Sequence, residues 1–246
     1  MSMLQDLKDM VPYGWRKGLL DLVQPKRPGI GPILRAMDRD VSAVFDIGAN
    51  VGDVSLYMLH YFSNATIFGF EPCAATYDRL LSNVKKAGYM DRFRPFRLGF
   101  FDEETEGILQ VASAHGANSL IASGDEYRAM NPHVANIATE QIPLMRLDDF
   151  VVREGIGHID LVKIDVEGVE RQVLEGGAET FANKVDTVVM EVSFVRRPRG
   201  DGEYIHLFQL LQVYGFAPAE IYDLSHADGA AAWKLAQFDC VFRRYK

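Results

Sequence analysis

From residue 41 onward the chain alternates short apolar runs with helix-patterned segments, and nothing else in the sequence restricts the fold as much. VSAVFDI (41–47) reads as a strand, and DVSLYMLHYF (53–62) repeats apolar residues at helical spacing in Val54, Tyr57, Met58, Tyr61 and Phe62. TIFGFE (66–71) is a second strand, AATYDRLLSNVKKAG (74–88) a helix ended by Gly88, and FRPFRLGF (93–100) a third strand. HIDLVKID (158–165), VEGVERQVLEGG (166–177), VDTVVMEVSF (185–194) and EYIHLFQLLQVYG (203–215) continue the alternation of strand and helix. FAPAEIYDL and LAQFDCVFRRY close the chain as a strand hairpin. A chain of strands alternating with helices implies an α/β fold, a parallel, doubly wound sheet with helices on both faces.

Two regions break the rhythm. Residues 1–40 read as a helical appendage, with short amphipathic helices in 1–23 followed by the joint QPKRPGIGP, leaving 41–246 as one main domain. The apolar residues of that appendage are also the one hint of a homodimer. Residues 112–141, rich in Ala, Asn, Ser and Gly and without a clear period, are long for a connection and read as a substrate lid or insert.

Composition narrows the partners. A formal net charge of −8 with no Lys/Arg-rich run argues against nucleic acid. Cys73 and Cys240 stand in no disulfide, zinc or redox spacing, which fits a reducing cytoplasm. No run of apolar residues is long enough for a membrane span, and no signal peptide is read at the N-terminus.

In an open parallel sheet, ligands bind beyond the carboxyl ends of the strands. The first strand ends in Asp46-Ile47-Gly48-Ala49-Asn50-Val51-Gly52, where Gly48 and Gly52 permit a sharp turn and close approach of a ligand. The second ends in Glu71-Pro72, where a carboxylate suits two ribose hydroxyls. A dinucleotide turn needs a middle glycine to admit pyrophosphate, and here that position is Asn50. A carboxylate at Asp46, read as lying at the mouth of the turn, repels phosphates and suits an ammonium or sulfonium group. The pair therefore favours S-adenosylmethionine over NAD.

A second set of acids follows. Asp165 ends an apolar strand, Glu167 follows in the turn, and Glu191 sits amid apolar neighbours in VVMEVSF. Converging above adjacent strands, they are candidates for taking the proton of an acceptor hydroxyl. The plainer alternatives are that Asp165 is a helix N-cap and that Glu167 and Arg171 form a surface ion pair. An oxygen-only cluster also suits magnesium, but no His or Cys spacing accompanies it and no metal ligand is assigned. Asp102, after the third strand, is a candidate for the adenine amine, or a solvated turn residue. His115 and His133 are available as bases in the irregular segment, and His206 reads as structural.

Together VFDIGANVGDVSLYM, GFEP, IDLVKIDVEGVERQVLEGG and VVMEV resemble the FkbM family of S-adenosylmethionine-dependent methyltransferases over about residues 41–224. The resemblance implies a Rossmann-like class I methyltransferase fold, a mostly parallel seven-stranded sheet with its last strand antiparallel. It further implies methyl transfer to a hydroxyl of a small molecule such as a sugar or secondary metabolite. Asp46, Gly48, Asn50 and Gly52 then match the cofactor turn and Glu71 the ribose-binding acid; Lys163, Asp165, Glu167 and Gly168 match the second block. RLGFFDEE departs from the family's pattern, which bears on Asp102. The competing classes are an NAD-dependent oxidoreductase and a non-catalytic nucleoside-binding protein.

Overall fold

The computed structural model describes residues 30–35, 37, 40–113, 116–121, 133–194, 203–226 and 235–245. The segment 1–23 lies outside them, as do 114–115, which include His115, and 122–132 of the 112–141 insert. Seven strands form the main sheet: β1 (Ala43–Ile47), β2 (Thr66–Phe70), β3 (Phe93–Phe96), β7 (Ile159–Ile164), β8 (Val185–Ser193), β9 (Phe216–His226) and β10 (Leu235–Arg244). Between β3 and β7 the chain adds β4 (Gly99–Phe100), β5 (Thr105–Ala112) and β6 (Asn136–Met145), a separate three-stranded sheet ordered β4-β6-β5.

The main sheet runs β3-β2-β1-β7-β8-β10-β9, parallel except for β10, which is antiparallel to both β8 and β9. Strand order reverses at β1, which pairs with β2 on one side and β7 on the other. That reversal opens a crevice at the carboxyl ends of β1 and β7.

Strands covered on both faces must carry apolar residues on both, and their alternation divides the core into two layers. Val44, Leu161, Val189 and Val241 pack with Leu56 and Leu59 of the helix Asp53–Tyr61 and with Leu80 and Val84 of the helix Ala74–Ala87. Phe45, Ile47, Val162, Ile164, Val188 and Met190 pack on the other side with Phe150, Val173, Phe181 and Leu211. Phe150 meets Phe96 and Phe70 edge-on at ring separations of 4.9 and 5.0 Å. Burying that one side chain stabilises the fold by roughly 1.5–3 kcal/mol.

Several expectations are corrected. The strand expected over 93–100 is two, because the chain leaves the main sheet after Phe96 and joins the second sheet at Gly99. The 112–141 insert is not wholly irregular: β6 begins at Asn136, and Gln110 bridges Ser119. Helix 166–177 starts only at Glu170, since Glu167 (φ 57°) and Gly168 (φ 108°) are left-handed and cannot propagate a right-handed helix. A helix, Ile30–Arg35, begins inside the joint QPKRPGIGP, where Pro32 falls in the first turn and its missing N–H costs nothing. Helices Leu147–Arg153 and Ala178–Asn183 were not expected at all. Among the described residues no helix is long and apolar enough to cross a membrane.

Candidate active site

The turn after β1 is closed by three hydrogen bonds to two neighbours. Gly48 and Ala49 donate to the Phe70 carbonyl at 3.0 and 2.9 Å, and the Asp165 N–H donates to the Ile47 carbonyl at 3.1 Å. Gly48 (φ 80°), Asn50 (φ 50°) and Gly52 (φ 92°) all take the left-handed conformation. At Gly48 the space is as demanding as the angle: a Cβ there would lie 1.8 Å from the Asp165 carbonyl oxygen. The glycine is what lets the ends of β1 and β7 touch.

Beneath the turn, Asp46 is fully buried. It accepts from Ser55 Oγ at 2.5 Å and faces Lys163 Nζ at 3.3 Å. Lys163, itself buried, donates to the Gly48 carbonyl at 2.9 Å and pairs with Asp165 at 3.2 Å. Burial weakens a lysine's hold on its proton, but the carboxylates of Asp165 and Asp46 outweigh it and raise the pKa above the ordinary lysine value. Asp46 therefore does not stand at the mouth of the turn, as the sequence suggested. Its place in β1 turns it under the helix Asp53–Tyr61, where it supports the turn through Lys163 and Ser55.

Glu71, at the end of β2, accepts Asn50 N–H on Oε2 and Cys73 N–H on Oε1, both at 3.0 Å. Burial is the main cause that pushes its pKa up to about 7, against the lowering effect of those two donors and Lys163. Among the described residues none donates a hydrogen bond to the buried Asn50 Oδ1, which leaves an acceptor available to a ligand in the turn.

Around these groups lies a cleft of about 690 Å³, open to solvent. Gly48, Asn50, Glu71 and Pro72 form one wall, Asp165 and Glu167 another, and Leu98, Phe100, Leu109 and Ile142 an apolar side supplied largely by the second sheet. Gly116, Asn118 and Leu120 line it too, and Ser119 Oγ donates to the Glu167 carbonyl at 2.7 Å.

Asp165 and Glu167 thus reach the cleft, whereas Glu191 stands behind them on β8. Burial above all, then Asp165, Glu167, Glu170 and Asp239, drives the Glu191 pKa up to about 9. Gln237 Nε2 donates to it at 2.9 Å. The N-cap reading of Asp165 does not hold, since the helix begins at Glu170 with Val169 before it. Asp102 lies on an exposed turn with its backbone against Gly176, outside the residues that line the cleft. His133 and His206 are exposed and also outside it.

Residues 46–218 match the methyltransferase FkbM domain. The chain belongs to that family. This FkbM-domain protein is 28% identical over 197 residues to 31-O-demethyl-FK506 methyltransferase FkbM of Streptomyces tacrolimicus, covering 72% of this chain and 74% of that protein. It is 28% identical over 156 residues to 2-O-methyltransferase NoeI of Sinorhizobium fredii, covering 61% and 63%. AMB antimetabolite synthetase AmbE of Pseudomonas aeruginosa is 30% identical over 202 residues, 71% of this chain but only 9% of the length of that protein. Among solved structures, M. capricolum TrmK in complex with S-adenosyl-homocysteine superposes with a TM-score of 0.50 at 12% identity, over 88% of this chain and 68% of that one. The FkbM-domain fold is thereby that of the class I methyltransferases.

Sequence reasoning gave no role to two charged residues that interact with Asp165. Lys163 was matched to a motif without a role; a lysine inside an apolar strand two residues from an acid was the available signal. Asp239 faces Glu191 across the β8–β10 ladder, and burial, then Asp165 and Asp223, push its pKa up to about 6. Its signal, a carboxylate within the apolar run FDCVF, was the one that singled out Glu191.

Proposed function

We propose that this methyltransferase uses S-adenosylmethionine and transfers the methyl group to a hydroxyl oxygen of a small acceptor, a sugar or a secondary metabolite. The carrying observation is the junction of the two strand ends: a left-handed turn with Asn50 in place of a middle glycine, hydrogen-bonded through its N–H to Glu71. A turn of this shape crowds a pyrophosphate, while each Glu71 oxygen keeps a lone pair for a ribose hydroxyl. The buried Asn50 Oδ1, to which none of the described residues donates, is a further acceptor suited to the cofactor's donors.

When bound, S-adenosylmethionine supplies an electrophilic methyl on a sulfonium. Gly48, Ala49, Asn50 and Gly52 would hold its amino acid end, with Asp46 and Lys163 bracing the turn from below. Glu71 would hold the ribose, and the apolar side of Pro72, Leu98, Leu109 and Ile142 the adenine; Asp102, on its exposed turn, has no part in this assignment. Asp165 and Glu167 face the acceptor side and orient the hydroxyl or take its proton, with Glu191 behind them as a proton store. Residues 112–141 select the acceptor, a reading supported by the cleft positions of Gly116, Asn118 and Leu120. Two relatives whose names specify O-methylation support oxygen as the acceptor atom.

Titration calorimetry with S-adenosylmethionine and S-adenosylhomocysteine tests the reading. Binding of both is expected, weakened at least tenfold in Glu71→Ala with the melting temperature retained. Absence of binding, or a larger rise in melting temperature with NAD, overturns it.

A further inference from the structure

At the opposite rim of the sheet, where β7 and β8 begin, three side chains converge that the methyl-transfer chemistry does not use. Asp160 and Asp186 occupy the same row of the parallel β7–β8 ladder, between the register pairs Ile159–Val185 and Leu161–Thr187. Like charges side by side on neighbouring strands destabilise a sheet unless a cation lies between them. His158, immediately before β7, turns its ring toward both: Nε2 lies 3.5 Å from Asp160 Oδ1 and 3.1 Å from Asp186 Oδ2.

We propose that His158, Asp160 and Asp186 form a binding site for a divalent transition metal of the zinc type, one that staples the amino ends of β7 and β8. Zinc bonds of about 2.0–2.2 Å, at angles between octahedral and tetrahedral, set neighbouring ligand atoms about 3.0–3.5 Å apart. The two nitrogen–oxygen separations match that spacing, and all three ligand atoms lie within 4.8 Å of one another.

The surroundings organise one ligand in advance. Asp160 Oδ2 accepts from Ser42 N–H, Ser42 Oγ and Ala43 N–H, each at 2.9 Å, so the carboxylate cannot rotate and Oδ1 is left to face the histidine. Partners of this kind, one step removed from the metal, are what fix a ligand's direction in metal sites. The side chains of His158 and Asp186 are 50% and 58% exposed, which leaves a metal reachable from solvent and its remaining positions open to water. An imidazole with two carboxylates suits zinc or nickel over the all-oxygen preference of magnesium or calcium. Since Ser42 and Ala43 lead into β1, the ion would tie three adjacent strands at the rim farthest from the cleft.

Equilibrium dialysis of tag-free, chelator-stripped full-length protein against zinc chloride, followed by metal analysis and thermal unfolding, tests the site. One equivalent of zinc and a rise in melting temperature are expected. In His158→Ala and in Asp186→Asn, both at exposed positions, affinity falls at least tenfold and the rise disappears. Loading with cobalt gives a visible absorption band that is lost in the same variants. The proposal is overturned if zinc leaves the wild-type melting temperature unchanged, or if both variants bind it as tightly as wild type, which leaves His158 as an ion-pair partner only. His158→Gln serves as the second variant should His158→Ala fail to fold.

Discussion

The two rims of the main sheet use their charged side chains in opposite ways. At the amino ends of the parallel strands, charges are spent on backbone. Arg92 donates to the carbonyls of Leu59, Phe62 and Ala65 at 2.7–3.1 Å, and Arg244 donates to those of Phe181, Ala182, Tyr214 and Val185 while stacking over Phe216. Each arginine lies where helices end and carbonyls lack partners, a position the helix dipole also favours for a cation. At the carboxyl ends acids crowd on one another: Asp46, Glu71, Asp165 and Asp239 share Lys163 as their buried cation, and Glu191 interacts with Asp165 and Asp239. Three left-handed residues in five, 48–52, accompany them. At the amino-end rim the two arginines are satisfied by the protein's own carbonyls. The other rim holds strain and buried charge in a form that a ligand can complete.

That contrast can be broken experimentally. The largest effect is expected from Gly48→Ala, whose methyl would overlap the Asp165 carbonyl oxygen at 1.8 Å in a left-handed turn. Urea denaturation should show a loss of about 4 kcal/mol or more, and S-adenosylmethionine binding should vanish. Lys163→Met leaves Asp46 buried without its cation and should cost about 3–5 kcal/mol, with cofactor affinity falling in parallel. On the other rim, Arg244→Ala strips donors from four carbonyls and should cost about 1–3 kcal/mol, yet leave cofactor affinity within about twofold of wild type once folding is corrected for. If Arg244→Ala weakens the cofactor as much as Lys163→Met does, the division between the rims fails.

The rims should also titrate in opposite senses. Asp239, Glu71 and Glu191 have pKa values raised to about 6, 7 and 9, so the folded state holds their protons more tightly than the unfolded chain. Their contribution to stability is full below the ordinary carboxylate range and is lost as pH rises through those values. Asp160, held below its ordinary value, contributes above that range and loses its contribution on acidification. The melting temperature should therefore fall between pH 5 and 9, and fall less in Glu191→Gln; an equal slope in the two proteins would show that Glu191 does not carry the effect. The smallest change belongs to neither rim. Removing the exposed Arg153–Glu154 pair with Glu154→Ala should alter stability by no more than about 0.5 kcal/mol, by the same urea titration.

Much of the carboxyl-end rim was legible in the chain because its signals are local. Glycines at 48 and 52 after an apolar run, and an acid closing the next strand, report a strand–turn–helix ligand site from spacing alone. The amino-end rim was not, because Arg92, Arg244, Asp160 and His158 look like ordinary surface charges until helix ends and strand starts are brought beside them. The second sheet escaped for a different reason. Most of β6 is solvent-exposed, with Ile142 and Leu144 its only buried residues, so its pattern carries too few apolar positions to announce a strand.

The sequence by itself determined the layer architecture and the turn and acid that form one wall of the cleft. Those follow from periodicity and from backbone angles that only certain residues tolerate. Tertiary structure alone decided that Asp46 lies under the turn and not at its mouth, that Lys163 joins it to Asp165, that Asp239 stands opposite Glu191, and that Asp160 and Asp186 share a row beside His158. Each of these depends on which strands become neighbours and in what register, and a charge's partner across a sheet is set by that register and not by its distance along the chain.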